Sequence, residues 1–131
     1  MSLLAAERFT GSWELATFTR TSADGAVDCP LGAAPAGLIS YTADATVAVQ
    51  LFATDGQPGR LMPSASAYYG SFAVDEAKGE VIHHIEQASN DWLRATRQVR
   101  QYRFDDDRLT LSATVDGELL ELVWQRRKVP A

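Results

Sequence analysis

Cysteine and histidine are scarce in this sequence, and their scarcity narrows the possible chemistry. Cys29 is the only cysteine among 131 residues, so neither an internal disulfide nor a cysteine-based metal site can form. We therefore expect a reducing, cytoplasmic setting. The two histidines of the chain are adjacent, at positions 83 and 84.

Positive charge is in deficit as well. The chain has 12 Lys and Arg residues against 17 Asp and Glu residues, which gives a net charge of −5. Nucleic acids and anionic membranes attract cationic surfaces, so we expect neither as a partner. No apolar run approaches the length of a membrane-spanning helix. The apolar opening Leu3-Leu4-Ala5-Ala6 is too short for the core of a signal peptide and has no cationic flank.

Helical periodicity is confined to residues 2–8, which predict one short helix. Elsewhere apolar and polar residues alternate, which is typical of strands with one buried face. Tight turns such as Asp24-Gly25 and Asp116-Gly117 separate these segments. Residues 53–66, which are rich in glycine and proline, predict the longest irregular stretch.

These segments predict an all-β chain of about eight to ten short antiparallel strands. The length fits a single domain that spans residues 1–131. Strands that each have one apolar face must close into a barrel or divide into a sandwich. Hairpins between consecutive strands favour a single up-and-down barrel, and a barrel of about eight strands can hold one small ligand.

Several motifs, taken in order, resemble the lipocalin superfamily. Gly11-Ser12-Trp13, after a short helix, resembles its Gly-x-Trp opening, and Arg126 stands where that superfamily packs an arginine of the last strand over the tryptophan. The resemblance implies that Trp13 lies at a closed end of the barrel, capped by residues 3–9. The chain is most similar to the bacterial and fungal lipocalin-like domain family in the segments DG (24–25), CPLG (29–32), GLISYT, VAVQL, VIHHIE, NDW, QVRQYRFDDDRLTLS and LVWQR.

The two histidines must face opposite sides of their strand, because adjacent strand residues alternate. His83 shares a face with the apolar Val81 and Ile85, so we place it inside the barrel. His84 shares the other face with Glu86, so we place it in solvent. The two imidazoles therefore cannot bind the same metal ion, and no other set of ligands joins His83. We predict neither a metal site nor a cofactor.

The following segment, ATRQVRQYRF, has arginines on both of its faces. Arg97 and Arg103 lie on one face together with Gln101, and we assign that face to solvent. The other face then points into the barrel, beside the strand of His83, because consecutive strands usually pair. Its polar members are Gln98, Arg100 and Tyr102.

A cluster of His83 with these side chains has two interpretations. In the first, His83 is a core histidine with one hydrogen bond, and Arg100 extends to the barrel mouth. In the second, the cluster is a functional site, because an unpaired buried guanidinium is costly and would be offset by an anionic or carbonyl-bearing ligand. The catalytic candidates are then His83, Arg100 and Tyr102. Candidates for ligand contact are Gln98, Tyr41, Gln50, Tyr68, Phe72 and Trp92.

Three functions fit a barrel of this kind. The first is binding of a small organic molecule in an apolar cavity with a few polar contacts. The second is a cofactor-free isomerase, cyclase or lyase acting on a small carbonyl, phenolic or polyketide-like substrate, which the family resemblance also implies. There His83 would move a proton, and Arg100 or Tyr102 would stabilise an oxyanion. The third is an interaction domain with a filled interior. No nucleophile elbow, P-loop or dinucleotide-binding loop is present.

Overall fold

The structure is a computed structural model, and it describes residues 3–54 and 65–128. In these ranges one short helix, α1 (Leu3–Glu7), precedes nine strands. A 3-10 turn at Asp91–Leu93 lies between the sixth and seventh strands. The strands are β1 (Gly11–Thr21), β2 (Val27–Asp28), β3 (Ala36–Tyr41), β4 (Thr46–Phe52), β5 (Ala65–Asp75), β6 (Glu80–Ala88), β7 (Arg97–Asp105), β8 (Arg108–Val115) and β9 (Glu118–Arg126).

The sheet closes into an up-and-down barrel, as predicted. From β3 to β9 each strand pairs antiparallel with the next one in sequence. β1 closes the ring, because it pairs with β3 on one side and with β9 on the other. The two-residue β2 is an extra strand that pairs only with the end of β1. Closure leaves the ring without an exposed hydrogen-bonding edge.

A bulge in β1 changes which residues face the interior. Trp13 and Leu15 are buried in strict alternation, but the pairing with β9 then shifts between Leu15 and Thr17. The extra residue reverses the alternation, so Phe18 is buried in place of Thr17. Simple period-two counting along β1 would have placed Thr17 inside.

A second bulge bends β6 against β5, and it requires glycine. The pairing shifts after Tyr69, so that Gly70 lies opposite Ile85 and Glu86 is the extra residue. A Cβ atom at Gly70 would lie 1.9 Å from the carbonyl oxygen of His84. Glycine therefore permits the close backbone approach on which this bend depends.

The closed end of the barrel is built around Trp13 and Arg126, as the resemblance predicted. The Arg126 guanidinium carbon lies 4.0 Å from the centroid of the Trp13 ring. Arg126 Nη1 donates to the carbonyl of Thr10 at 2.9 Å, and Nη2 donates to that of Arg8 at 2.8 Å. Trp13 Nε1 donates to the carbonyl of Phe9 at 2.9 Å. These contacts fasten the segment after α1 across the end of the barrel.

An aromatic layer fills the barrel above this end. Phe9 is completely buried and lies at the centre of this layer. Its ring centroid lies between 4.9 and 6.2 Å from the centroids of four other rings, mostly edge to face. These are the rings of Tyr41, Phe72, Tyr102 and Phe104.

The predicted irregular stretch at 53–66 lies mostly outside the described residues, and its predicted end is wrong by two residues. Ala65 and Ser66 belong to β5, because Ser66 pairs with Leu51 in the ladder with β4. Residues 55–64 are among those that the structure does not describe. Within residues 3–54 and 65–128, no helix is both long enough and apolar enough to cross a membrane.

Candidate functional site

A cavity of about 130 Å³ occupies the half of the barrel opposite α1. The interior is therefore not completely filled, which argues against the third of the functions considered above. The wall is mainly aliphatic and aromatic, and eight strand-borne apolar side chains dominate it. They are Phe18, Ile39, Val49, Leu51, Leu111, Leu120, Leu122 and Trp124.

His83 lies in the cavity wall, buried, between two tyrosine hydroxyls. The side chain is 1% exposed, whereas His84 faces solvent, as predicted. Tyr41 Oη lies 2.8 Å from Nε2, and Tyr68 Oη lies 2.7 Å from Nδ1. Tyr41 is buried behind the imidazole, and Tyr68 lines the cavity. Both ring nitrogens are thus occupied, so His83 has two hydrogen bonds, one more than the interpretation as a core histidine predicts.

Burial sets the protonation state of this group of side chains. It lowers the pKa of His83 to about 3, and the nearby positive charge of Arg100 acts in the same direction. Burial also raises the pKa of Tyr68 to about 12, although Arg100 opposes this, and raises that of Tyr41. At neutral pH the imidazole and both phenols are therefore uncharged.

Arg100 lines the cavity from β7 and is partly buried. Its Nη1 donates to the carbonyl of Val99 at 3.0 Å, and its Nη2 donates weakly to Gln98 Oε1 at 3.4 Å. Gln98 Nε2 in turn donates to Thr96 Oγ1 at 3.0 Å. In the described part of the chain, no carboxylate lies within ion-pair distance of Arg100. Among the described residues, its hydrogen-bond partners are therefore neutral groups.

Trp124 adds a second unsatisfied donor to the same cavity. This residue is 1% exposed and is one of the cavity-lining residues. Its Nε1 is buried, and it has no hydrogen-bond partner among the residues that the structure describes. A buried donor without an acceptor costs about 1–3 kcal/mol. Trp124 Nε1 is thus an unpaired donor on a residue that lines the cavity.

The mouth of the cavity is formed by the start of β5 and the loop between β6 and β7. Asn90 Nδ2 donates to Ser66 Oγ at 3.0 Å, and both residues line the cavity. Trp92 lines it too, although it is 69% exposed, and Leu93 lies below it, buried. Trp92, a candidate for ligand contact, thus lies at the rim of the cavity.

The remaining candidates do not line the cavity. Phe72 and Tyr102 lie in the aromatic layer around Phe9, and Tyr102 is 5.0 Å from Phe9 between ring centroids. Gln50 is a candidate whose face the sequence leaves open, and its side chain is exposed on the outer face of β4. The buried side chains of β4 are Val47, Val49 and Leu51, which occupy the inward positions.

Parity brought His83 and Arg100 to this cavity, Tyr68 and Trp92 were candidates for its lining, and two polar members were missed. Ser66 was overlooked because it lay in a segment read as irregular. Trp124 was assigned inward as packing, and its unpaired Nε1 is visible only in three dimensions. Among the described residues, no group of three or more His, Cys, Asp or Glu side chains is placed to hold a metal ion.

Comparisons with known proteins place this barrel in a family. A solved structure of a redesigned β-barrel aligns with 95% of this chain and 96% of its own, with a TM-score of 0.52 and 20% sequence identity. At that identity the likeness concerns the fold alone. A search of curated protein sequences finds no match. The family model described as a lipocalin-like domain matches residues 10–127. That match covers nearly the whole barrel, and the chain therefore belongs to the lipocalin-like domain family.

Proposed function

We propose that this barrel binds a small organic molecule with an aromatic or apolar body and a carboxylate or carbonyl group. The observation that carries the proposal is Arg100, which lines a mainly apolar cavity without a carboxylate partner in the described part of the chain. A ligand carboxylate there would gain a charge-assisted hydrogen bond and would offset the cost of desolvating the guanidinium.

Two further donors support an acceptor-bearing ligand. The Tyr68 hydroxyl belongs to the cavity wall, and Trp124 contributes the unpartnered Nε1. A cavity of about 130 Å³ has room for roughly one aromatic ring, to judge from apolar cavities of similar size that hold benzene. Benzoate combines one ring with one carboxylate, so it is a suitable probe.

The test compares two arginines of the same strand. Arg100→Gln should weaken benzoate binding about 10-fold or more, because a hydrogen bond to a charged group is lost. Arg103→Gln is the matched control, since Arg103 is exposed on the outer face of β7 and should leave the affinity unchanged. Calorimetric or NMR titration measures both. Equal affinities of the two variants would rule out Arg100 as the anchor of the ligand.

A cofactor-free isomerase, cyclase or lyase acting on a small carbonyl, phenolic or polyketide-like substrate is the second candidate. Arg100 and Tyr68 favour it, because donors that line one cavity can stabilise a developing oxyanion. His83 argues against it, because both of its nitrogens are hydrogen-bonded and its pKa of about 3 is far below that of an effective general base. Turnover that disappears in His83→Gln while benzoate still binds would favour the enzyme.

The proposed partners follow from the net charge of the chain, and the proposed cellular compartment follows from its single cysteine. A net charge of −5 supports the proposal that neither nucleic acid nor an anionic membrane is a partner. The free thiol of Cys29 is exposed, which supports a reducing, cytoplasmic environment. Localisation of a tagged chain by cell fractionation tests that assignment, and recovery with an oxidising compartment would refute it.

A further inference from the structure

The chain of hydrogen bonds from Tyr41 through His83 to Tyr68 has a direction. A neutral imidazole has one N–H donor and one acceptor nitrogen. With Tyr41 Oη on Nε2 and Tyr68 Oη on Nδ1, one tyrosine must donate to the ring and the other must accept from it. The two tyrosines are therefore not equivalent, and the position of a single proton decides their roles.

Tyr41 decides that position, because its hydroxyl has no alternative partner. The residue is 1% exposed, and His83 is the only hydrogen-bond partner of its hydroxyl among the residues described. If Nε2 carried the proton, the hydroxyl proton of Tyr41 would be buried without an acceptor, which is costly. The favoured arrangement has Tyr41 donating to Nε2. Nδ1 then carries the proton and donates to Tyr68.

The consequence appears at Tyr68, which lines the cavity. Its oxygen accepts from His83 Nδ1, so its own hydroxyl proton is left to donate to a ligand. Arg100 is also a donor only, and so is Trp124 Nε1. These donors suit a carboxylate, ketone or enolate oxygen of a ligand.

From this geometry we infer that Tyr41 is a specificity-determining residue that acts without touching the ligand, by fixing the His83 tautomer that makes Tyr68 a donor. The inference rests on the proposed function for the identity of the site, but the tautomer itself is a property of the ligand-free protein. Tyr41 is a positioning residue in this scheme, and the selectivity that it sets is for a ligand group that accepts a hydrogen bond from Tyr68.

The first experiment measures the tautomer directly. Two-bond nitrogen–proton correlations on protein labelled with ¹⁵N-histidine distinguish a protonated Nδ1 from a protonated Nε2. The chain has two histidines, and His84→Gln assigns the signals of His83. We expect Nδ1 to be protonated in the wild-type protein and a mixture of tautomers in Tyr41→Phe. A protonated Nε2 in the wild-type protein would overturn the inference.

The second experiment is a double-mutant cycle with benzoate as the probe. Tyr41→Phe should weaken benzoate binding roughly 3- to 10-fold, the loss expected for one hydrogen bond. In the Tyr68→Phe background the same substitution should have no effect, because the donor on which it acts is gone. Toluene, which has no acceptor group, should bind equally to all variants. Tyr69→Phe, on the exposed outer face of β5, is the control for loss of a hydroxyl.

The two experiments separate failure of this inference from failure of the proposed function. Additive effects of Tyr41→Phe and Tyr68→Phe would mean that Tyr41 acts only through stability, and would overturn the inference while leaving ligand binding in place. If benzoate and related carboxylates do not bind the wild-type protein, the proposed function fails. The tautomer measurement would then still show whether Tyr41 donates to His83 Nε2 and Nδ1 donates to Tyr68.

Discussion

Acid should destabilise this protein through His83. The imidazole has a pKa of about 3 in the fold, against 6.5 for an unperturbed histidine. Below about pH 6.5 His83 therefore binds a proton in the unfolded chain but stays neutral in the folded chain. Because the folded pKa is the lower one, the stabilisation is fully present above about pH 6.5 and is lost as the pH falls towards 3.

The size of the effect follows from one proton per molecule. Well below pH 6.5 each pH unit removes about 1.4 kcal/mol from the free energy of unfolding, and the loss between pH 6.5 and 4.5 is about 2 kcal/mol. Hydrogen bonds also lower the pKa values of Asp24 and Asp44, but these carboxyls add pH dependence mainly below the ordinary aspartate pKa of 3.8. A small domain has a total stability of about 5–15 kcal/mol, so the loss is readily measured.

Urea unfolding followed by tryptophan fluorescence at several pH values between 7.5 and 4.5 provides the assay. His83→Gln should be less stable than the wild-type protein at pH 7.5, because Tyr41 and Tyr68 lose their shared partner, but its stability should fall less with acid. His84→Gln is the control and should keep the wild-type slope, since that side chain faces solvent. An unchanged slope in His83→Gln, or protonation of folded His83 near pH 6 by NMR, would refute the reasoning.

Three further predictions concern stability and use the same unfolding assay. Arg126→Ala should cost about 2 kcal/mol through the lost ring contact and carbonyl hydrogen bonds, without altering ligand affinity, and a change in affinity would contradict its structural role. Gly70→Ala should cost about 3 kcal/mol because its Cβ would clash with the carbonyl of His84, and a near-neutral result would exclude this bulge. Trp13→Phe should cost about 1–3 kcal/mol more than Trp124→Phe, because only Trp13 Nε1 has a partner to lose, and equal costs would mean that Trp124 Nε1 is also satisfied.

Much of the fold could be predicted because the barrel is a sequence of hairpins. Each strand pairs with its neighbour in sequence, so local alternation and tight turns specify most of the topology. The same alternation correctly placed His83 inside and His84 outside, and it placed Arg100 on the inner face of β7. Counting failed at the bulge after Leu15, where one extra residue reverses the faces and no local signal marks it.

The candidate site could be predicted only in part, because its chemistry depends on partners that are distant in sequence. Parity brings His83 to the interior, but it does not reveal that Tyr41, 42 residues earlier, meets one of its nitrogens. It also does not separate the level of the cavity from that of the aromatic layer, so Tyr102 was grouped with the cavity although it packs on Phe9.

The sequence by itself thus determined the strands, the closure and the sidedness of most inward residues, since these follow from a period of two and from short turns. Only the tertiary structure decided how the inward residues divide along the barrel axis, with aromatic packing near α1 and a polar-lined cavity above it. The physical reason is that hydrogen bonds such as those of His83, and the absence of one at Trp124 Nε1, depend on stagger between strands. Stagger accumulates around the whole ring and is set by closure and bulges rather than by any one segment.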